Sequence, residues 1–392
     1  MKILFSHFGI YKRDGWGRTF ALAKALCNAG HSVTILTSSE KKGLFFNKYI
    51  DGKVCIIVFK DIVPQKILSK GFGIFSLINK VLFSLLSNND VVHADSHRPN
   101  SYYPCIINKY FHNSKYVIEW WDNFGPDGQL PNKSRWFKIF LGKWEEKAEI
   151  KSKIIADGVV VLSKYMYKRA LKVGLDKNKI ILIQGGANIE DIKFTALGSF
   201  KIEKYKIELE YITFGFIGSG DNDISDIMPF IDAIRELQSK VKLKFINFGI
   251  PFSLSMKQNS GIEKILVEGG WIDYYSNNES AFLGAVDVFI LIKREDVKNL
   301  SGWPNKLGDY LACGRPVLLN TYGDIKSFVE MYNPGVITVN YDKADISLKI
   351  EDICRGQYDL RALGNINRKL AETHLSWRHK AKLLENFYVS MG

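Results

Sequence analysis

Short apolar segments alternate with longer amphipathic ones from the first residues of the chain. Lys2–Phe8 is largely apolar, Thr19–Ala29 carries apolar residues at helical spacing, and His31–Thr37 is apolar again. Apolar runs of this kind predict buried strands of a parallel sheet, and the segments between them predict helices that cover its faces. The pattern therefore predicts an α/β protein built from doubly wound parallel sheets.

The alternation continues to the end of the chain with one interruption. Further strands are predicted at Lys53–Phe59, Asp90–His93, Ala156–Ser163, Lys179–Ile183, Tyr211–Ile217, Leu243–Phe248, Asp287–Ile292, Val317–Leu319 and Val336–Val339. The polar segment Lys193–Glu210 separates two such series and is typical of a linker. Because 392 residues exceed one ordinary core, we expect two domains.

Composition favours a folded protein of the reducing cytosol. Hydrophobic residues make up 46% of the chain, which excludes a disordered protein. The five cysteines are scattered and never spaced as Cys-x-x-Cys, so they predict neither disulfides nor a zinc site. Met1 and Lys2 lead directly into a strand, unlike a signal peptide. The apolar run Phe72–Leu86 is too short and too interrupted to span a membrane. We expect a cytoplasmic protein.

The positive charge of the chain lies in its N-terminal half. The formal net charge is +13, and residues 1–190 hold 29 Lys and Arg against 15 Asp and Glu. Residues 191–392 hold 25 against 26. This asymmetry indicates an acidic partner for the first half, which is nucleic acid, anionic lipid or an anionic acceptor. Because that half has no recognised DNA or RNA module, we expect no nucleic acid.

The segment Ser301–Val317 predicts a turn, a short helix and a strand. Pro304 suits the first turn of the helix, and a Gly-Arg-Pro sequence ends it. Lys306 and Asp309 lie in its first two turns, where backbone N–H groups favour an anion. The alternative is that these two residues form only a surface ion pair, worth about 0.2–0.5 kcal/mol.

Two glycines, Gly15 and Gly17, lie in the loop predicted after the first strand. The dinucleotide-binding fingerprint would require a third glycine at position 20, which is Phe20, so that function is not indicated. The glycines instead predict a tight turn whose backbone can approach a ligand. Arg18 is a weaker candidate for the same contact.

The segment Lys115–Gly125 combines a strand with side chains that suit a sugar. Glu119, Trp121 and Asp122 lie at the carboxyl end of the strand, where open α/β sheets bind ligands. Aromatic faces beside carboxylates match the faces and hydroxyls of sugar rings. The alternative is that the aromatic rings belong to the core and the carboxylates are solvated. His97, after the preceding strand, is either a rim residue or a structural one.

The segment from Gly302 to Val317 resembles the donor-site helix of GT-B glycosyltransferases, specifically of glycosyltransferase family 4. Three further segments follow the order of that family: Gln184–Asn188 resembles the turn that closes the first domain, Gly269–Ile272 the loop that meets the nucleotide base, and Leu375–Trp377 the start of the C-terminal helix. The resemblance covers nearly the whole chain.

The resemblance implies the GT-B fold, in which two Rossmann-like domains face each other across a cleft. The implied N-terminal domain, residues 1–192, binds the acceptor. The implied C-terminal domain, residues 193–374, binds the nucleotide-sugar. Residues 375–392 are implied to form a helix that packs back on the N-terminal domain.

For the donor, the resemblance implies contacts around a Glu-x7-Glu pair. Asp309 occupies the second position of that pair and implies a ribose contact, whereas Ser301 occupies the first and lacks the charge. Lys306 is implied to bind phosphate, and Lys306, Ser301 and Asp122 are the catalytic candidates. The other donor-binding candidates are Gly15, Gly17, Gly218, Ser219, Trp271, Ile272 and Gly302.

For the acceptor, the resemblance implies contacts after the strand that begins at Lys115. In family 4 a His or Asp at this place reaches the acceptor or the donor sugar. Asp122 corresponds to that residue. Glu119, Trp121 and His97 are the implied acceptor-binding residues.

One segment departs from the family pattern. Many members carry an Arg and a Lys after the first strand of the second domain, whereas this chain has Asp-Asn-Asp at 221–223. Positive charge must then come from Lys306, or from Lys293 and Arg294. The two carboxylates superficially match the Asp-x-Asp of metal-dependent GT-A enzymes, but they follow a Gly-rich first strand, so we expect no metal.

The resemblance implies a hexosyltransferase-type enzyme that moves a sugar from a nucleotide-sugar to a glycan or lipid-linked acceptor. It implies retention of configuration without metal or cofactor, and a role in cell-surface polysaccharide or glycolipid synthesis. Because Ser301 replaces a carboxylate, a second hypothesis stays open: a catalytically silent GT-B partner subunit that binds sugar nucleotide or acceptor.

Two basic and aromatic stretches, Lys66–Leu86 and Ser134–Ser152, predict contact with an anionic membrane surface. Roughly five or six Lys or Arg on one face suffice for reversible docking. Trp136, Phe140 and Trp144 are four residues apart, so a helix would place them together at headgroup level. We expect peripheral association with the inner face of the membrane. The alternative is that these apolar side chains pack into the core.

Overall fold

The computed structural model describes residues 1–13, 15–63, 71–272 and 279–392. The first residues of the predicted membrane-contact stretch, Lys66 to Lys70, lie outside these ranges. The described chain divides into two compact units. The first unit contains residues 1–185, 301–303 and 377–392, and the second contains residues 186–300 and 304–376.

Strands alternate with helices through both units. The strands are β1 Lys2–Ile10, β2 Ser32–Lys42, β3 Phe46–Asp51, β4 Val54–Asp61, β5 Val91–Ala94, β6 Lys115–Trp120, β7 Gly158–Val161, β8 Ile180–Leu182, β9 Ile212–Ser219, β10 Leu243–Ile250, β11 Leu266–Gly270, β12 Val288–Leu291, β13 Val317–Asn320 and β14 Val336–Val339.

The helices lie between the strands or after the last of them, and the predicted helix Thr19–Ala29 is observed at Trp16–Asn28. They are α1 Trp16–Asn28, α2 Ile74–Leu86, α3 Pro99–His112, α4 Arg135–Ile154, α5 Lys164–Lys172, α6 Lys201–Tyr205, α7 Ile224–Leu237, α8 Leu254–Ser260, α9 Val297–Ser301, α10 Lys306–Ala312, α11 Asp324–Tyr332, α12 Lys343–Cys354, α13 Leu360–Leu370 and α14 Trp377–Ser390. The short helix α6 lies in the segment expected to be a linker.

Each unit is organised around one sheet. In the first unit the strand order is β3-β4-β2-β1-β5-β6-β7-β8, and in the second it is β11-β10-β9-β12-β13-β14. Neighbouring strands are parallel, apart from the antiparallel pair β3 and β4. The order reverses at β1 in the first sheet and at β9 in the second, the places where doubly wound sheets bind ligands.

Apolar strand residues fill the core of each unit. Leu4, Val92 and Ile118 on adjacent strands of the first unit are fully buried. In the second unit, Phe230 of α7 packs edge-to-face on Phe214 and Phe245, with ring centroids 5.7 and 5.3 Å apart. Burial on both faces explains why these strands are continuous apolar runs rather than alternating ones.

The C-terminal helix α14 belongs to the first unit. Glu385 lies 3.1 Å from the imidazole Nε2 of His31, at the end of α1. Gly158 at the start of β7 leaves room for Phe387, because a Cβ there would lie 2.6 Å from its ring. The residues after 376 therefore complete the first unit.

Helix α2 is oriented opposite to the usual amphipathic arrangement. Its polar residues Ser76, Lys80 and Ser84 are buried, whereas Ile78 and Leu82 are about half exposed. The buried residues have partners, since Ser84 donates to the Pro104 carbonyl at 2.6 Å and Lys80 to the His7 carbonyl at 2.8 Å. The alternative that this stretch packs its apolar face into the core is wrong for most of α2.

Trp136, Phe140 and Trp144 lie on helix α4, as their four-residue spacing predicted, but the three rings have different surroundings. Trp136 and Phe140 are exposed and stack with centroids 5.9 Å apart. Trp144 packs instead on Phe72, at 5.3 Å. Only the first two rings are available to an external surface. Within the described ranges, every helix is too short or too polar to cross a bilayer.

Candidate active site

The helix α10 carries two of the sequence-predicted donor residues and is fixed by close packing within the second unit. Gly308 lies against the backbone of the segment 184–188, because a Cβ there would stand 2.1 Å from the Gly186 carbonyl. From the same segment, Asn188 donates its amide to the Asp309 carboxylate at 2.9 Å. Two of the four segments that resemble family 4 are therefore in direct contact.

Tyr310 links α10 to the carboxyl end of β9. Its ring stacks on Phe289 with centroids 4.1 Å apart, and its hydroxyl accepts the backbone N–H of Ile217 at 3.0 Å. Burial raises the pKa of this hydroxyl. The contact places the start of α10 beside the Gly-rich turn that follows β9.

Lys306 is held at this turn by a carboxylate and an aromatic ring. Its ammonium lies 2.9 Å from Asp223 and 4.3 Å from the ring centroid of Phe216. Burial lowers the pKa of Lys306, and the charge of Asp223 acts in the opposite direction. Burial raises the pKa of Asp223, but Lys306 outweighs that effect and holds it below its ordinary value.

The turn itself requires glycines. A Cβ on Gly218 would stand 2.4 Å from the ring of Phe216. Gly220 has a φ of +63°, a conformation that side chains disfavour. Ser219 is exposed between them, and its backbone N–H donates to the Asp223 carboxylate at 2.9 Å.

The other cations proposed to bind the donor diphosphate form ion pairs with carboxylates. Lys293 donates to Asp226 at 3.0 Å, and Arg294 to Asp296 at 2.7 Å. Asp221 accepts the backbone N–H of Ser253. Among the residues that the structure describes, no three His, Cys, Asp or Glu side chains are grouped to hold a metal.

The remaining donor candidates differ in exposure. Trp271, just past β11, is 65% exposed, and Ile272 beside it is half-buried. Gly302 is half-buried. Ser301 is fully buried, and its carbonyl accepts the Ser163 hydroxyl at 2.6 Å within the first unit.

In the first unit, Gly15 and Trp121 are packed together. Gly15 has a φ of +86°, and a Cβ there would lie 2.3 Å from the indole of Trp121. Helix α1 begins directly after it, so Gly17 lies in the first helical turn and not in the loop predicted for it. The space at Gly17 is open.

Two sequence candidates of this unit form a buried ion pair. The Arg18 guanidinium donates to both oxygens of Glu119, at 3.1 and 3.0 Å, and its outer nitrogens donate to the carbonyls of Ile183 and Gln184. Trp121 also donates its indole N–H to Glu119. Both charged side chains are almost completely buried. Through the bond from Trp121 to Glu119, the pair holds the Trp121 side chain in place.

Asp122 and His97 have different surroundings. Asp122 is half-buried and accepts the Gln129 amide at 3.0 Å. His97 is buried, with its Nε2 3.1 Å from Glu145, which also pairs with Arg98 at 2.7 Å. Burial lowers the pKa of His97 to about 4. Asp122 is therefore the more accessible of the two.

A second buried pair, His7 and Asp95, was not predicted from the sequence. The His7 imidazole bonds to Asp95, which also accepts the Phe8 backbone N–H at 3.0 Å and the Ser101 hydroxyl at 3.0 Å. The other imidazole nitrogen faces the Arg13 carbonyl at 3.3 Å. The pair thus supports the loop that leads to Gly15.

Comparisons with known proteins identify what the chain is similar to in family and fold. Residues 18–191 match the family model of Glycosyltransferase Family 4. Three solved structures align with high coverage: sucrose-phosphate synthase from Thermosynechococcus elongatus (13% identity, TM-score 0.72, 100% of this chain and 98% of that one), HepE from Anabaena in complex with UDP-glucose (12%, 0.70, 100% of both), and the lipopolysaccharide glycosyltransferase WaaG (11%, 0.64, 98% and 99%). No curated protein sequence matches the chain.

The solved structures show that the chain has the GT-B fold, and the family model matches less than half of it. The predicted GT-B fold is confirmed by the structural neighbours. The resemblance to glycosyltransferase family 4 is confirmed by the model that matches residues 18–191.

Proposed function

We propose that the protein transfers a hexose from a nucleotide-sugar donor to a glycan or lipid-linked acceptor. The observation that supports this most strongly is that Lys306 and Asp309 lie in the first turns of α10, beside the Gly-rich turn at the end of β9. An ammonium, backbone N–H groups and a carboxylate suit diphosphate and ribose. HepE, a structural neighbour, was solved with UDP-glucose.

In this proposal the second unit stabilises the departing nucleoside diphosphate. Lys306 compensates the charge that builds on the leaving group, the kind of fixed electrostatic contact that contributes most to such reactions. Asp309 accepts hydrogen bonds from ribose hydroxyls, and Trp271 offers an exposed ring to the base. Gly218 and Ser219 contribute backbone from the second unit, whereas Gly302 and the buried Ser301 are donor candidates that belong to the first unit.

The proposed reaction retains the anomeric configuration and needs no metal. A donor phosphate oxygen takes the acceptor proton, so no separate strong base is required. Asp122, half-buried after β6, orients the acceptor or the donor sugar, and Trp121 offers it an aromatic face. Glu119 acts through Trp121, to which it is bonded.

The proposed acceptor is carried by a lipid, because the first unit offers an exposed apolar surface. Ile74, Ile78 and Leu82 of α2 are 61%, 49% and 51% exposed. Asn79 donates to the Leu44 carbonyl at 3.2 Å, which places the exposed Leu44 and Phe45 beside them. We call these five apolar residues the α2 surface. Contiguous apolar patches on a basic half suit an anionic bilayer.

This surface supports a peripheral location at the inner face of the membrane and a role in cell-surface polysaccharide or glycolipid synthesis. WaaG, another structural neighbour, is described as a lipopolysaccharide glycosyltransferase. Trp136 and Phe140 add exposed rings at the start of α4. Such rings favour the headgroup level of a bilayer.

The donor is identified by thermal shift of the full chain with UDP-, GDP- and ADP-sugars. A donor at about 100 times its dissociation constant stabilises by about 2.7 kcal/mol. We expect one base to raise the melting temperature clearly above the others. No shift with any nucleotide-sugar would contradict the proposal.

The membrane contact is tested by flotation with vesicles of anionic or neutral lipid. We expect the full chain to float with anionic vesicles at low salt and much less at high salt. The double variant Ile78→Glu/Leu82→Glu should lose flotation. The control Ile366→Glu, which changes a 46% exposed residue of α13 in the second unit, should retain it. Equal recovery of all three proteins would show that the α2 surface does not contact the membrane.

A second candidate is a catalytically silent partner subunit that binds sugar nucleotide or acceptor. The observation that favours it is the buried Ser301 in place of a carboxylate. Donor hydrolysis or sugar transfer by the purified chain would exclude this candidate.

A further inference from the structure

One carboxylate oxygen in the second unit has the surroundings expected of a bound phosphate oxygen. The Oδ2 atom of Asp223 accepts the backbone N–H of Ser219 and the ammonium of Lys306, both at 2.9 Å. A turn N–H and an ammonium directed at one oxygen are the donors that proteins use for phosphate. Asp223 is part of the protein and occupies that place itself.

The two donors are held by contacts that do not involve Asp223. Lys306 lies on the Phe216 ring, and its helix is fixed through Tyr310. The backbone at Ser219 is fixed because Gly218 packs on Phe216 and faces Gly249, where a Cβ would stand 2.4 Å from the Gly218 carbonyl. The site would therefore persist if the carboxylate moved away.

The carboxylate is also accessible to a competing anion. The Asp223 side chain is 15% exposed and the Lys306 side chain 25% exposed. The neighbouring cations Lys293 and Arg294 are paired with Asp226 and Asp296. An incoming diphosphate at this turn would thus meet Lys306 already paired.

We propose that Asp223 is an internal competitor of the donor diphosphate, which must displace its carboxylate from Lys306 and from the Ser219 N–H. The inference rests on the proposed function and adds a residue that sets donor affinity. The carboxylate keeps Lys306 ordered when the site is empty. The cost is weaker binding of every nucleotide donor, independent of the base.

The test is calorimetry of the full chain with inorganic pyrophosphate, UDP, GDP and ADP. Asp223→Asn keeps an acceptor for the Ser219 N–H and removes the negative charge. We expect this variant to bind pyrophosphate and the preferred nucleoside diphosphate about tenfold more tightly than the wild type, as loss of a competing charge contact worth about 1.4 kcal/mol requires. The control Asp221→Asn, an exposed neighbour bonded to Ser253, should bind like the wild type.

A second variant, Asp223→Ser, should show the same gain in affinity. It keeps the test decisive if Asp223→Asn fails to fold. If the wild type binds a nucleoside diphosphate and both Asp223 variants bind it equally or more weakly, the competitor role is overturned and the proposed function stands. If neither the wild type nor any variant binds a diphosphate, the proposed function falls together with this inference.

Discussion

The charged residues of the candidate site are buried in the first unit and lie near the surface in the second. Arg18 and Glu119 are 3% and 2% exposed, whereas Lys306 and Asp223 are 25% and 15% exposed. A buried pair is costly to break because the remaining charge has no solvent, whereas a partly exposed pair can exchange its partner for a ligand. The comparison assigns structural support to the first pair and ligand binding to the second.

The largest expected effect is on stability, from breaking the first pair. Arg18→Met leaves Glu119 buried without the Arg18 Nε–H that both of its carboxylate oxygens accept, so we expect a loss of about 3–5 kcal/mol in the free energy of unfolding. Denaturant titration measures this. The control Arg13→Met breaks an exposed pair with Glu40 and should cost less than about 1 kcal/mol. If both variants lost the same free energy of unfolding, the buried pair would not be more important for stability than the exposed pair.

The next effect is on ligand binding in the second unit. Asp309→Ala should weaken binding of the preferred nucleoside diphosphate by about 1.5–3 kcal/mol, the range for hydrogen bonds to a charged group. Its stability should change little, because the carboxylate is only half-buried. Asp352→Ala on α12 serves as the control and should bind normally. Unchanged affinity of Asp309→Ala would refute the ribose contact.

A further effect concerns pH and the buried histidines of the first unit. Burial lowers the pKa of His93 and of His97 to about 4, although Glu119 and Glu145 act to raise them. Both are neutral in the folded state, and their unfolded pKa is about 6.5. Protonation therefore favours unfolding, so stability is full above pH 6.5 and falls as the pH drops toward 4.

Each of the two histidines contributes up to about 1.4 kcal/mol per pH unit in this window. Denaturant titrations at pH 7.5, 6 and 5 measure the slope. His97→Gln should reduce it, whereas His374→Gln, an exposed residue of the second unit, should leave it unchanged. A flat profile for the wild type would contradict the burial of both rings as neutral groups.

The sequence was sufficient for the strands that are buried on both faces, because such a strand is apolar along its whole length. The exposed edge strands β3 and β11 were not predicted. The predicted strand Leu243–Phe248 lies within β10, and Val336–Val339 coincides with β14. The donor helix was also predictable, since a proline near its start and a glycine after its end are local signals. These features depend on neighbouring residues alone.

The pairing of charged residues was not predictable, because it joins distant parts of the chain. Arg18 and Glu119 are 101 residues apart, and Asp223 and Lys306 are 83 apart. Arg18 was a weaker candidate for a ligand contact, yet its guanidinium is bonded to Glu119. Similarly, the need for glycine at position 15 comes from Trp121, which only the fold brings near it.

The orientation of α2 shows the same limit in another form. The sequence of α2 is amphipathic, but this pattern does not determine which of its two faces is buried. The inward direction of Lys80 and Ser84 follows from acceptors at His7 and Pro104, on other elements. Hydrophobic spacing predicted the helix correctly and left open which face would be exposed.

The most direct test of the account is turnover by wild-type protein and by Lys306→Ala. Release of nucleoside diphosphate from the preferred nucleotide-sugar is measured in the presence of a membrane lipid extract. We expect the variant to fold normally and to turn over about 10²–10³-fold more slowly, as loss of one charge contact to the leaving group predicts. Activity within roughly threefold of the wild type would contradict the account, because Lys306 would then have no part in the reaction.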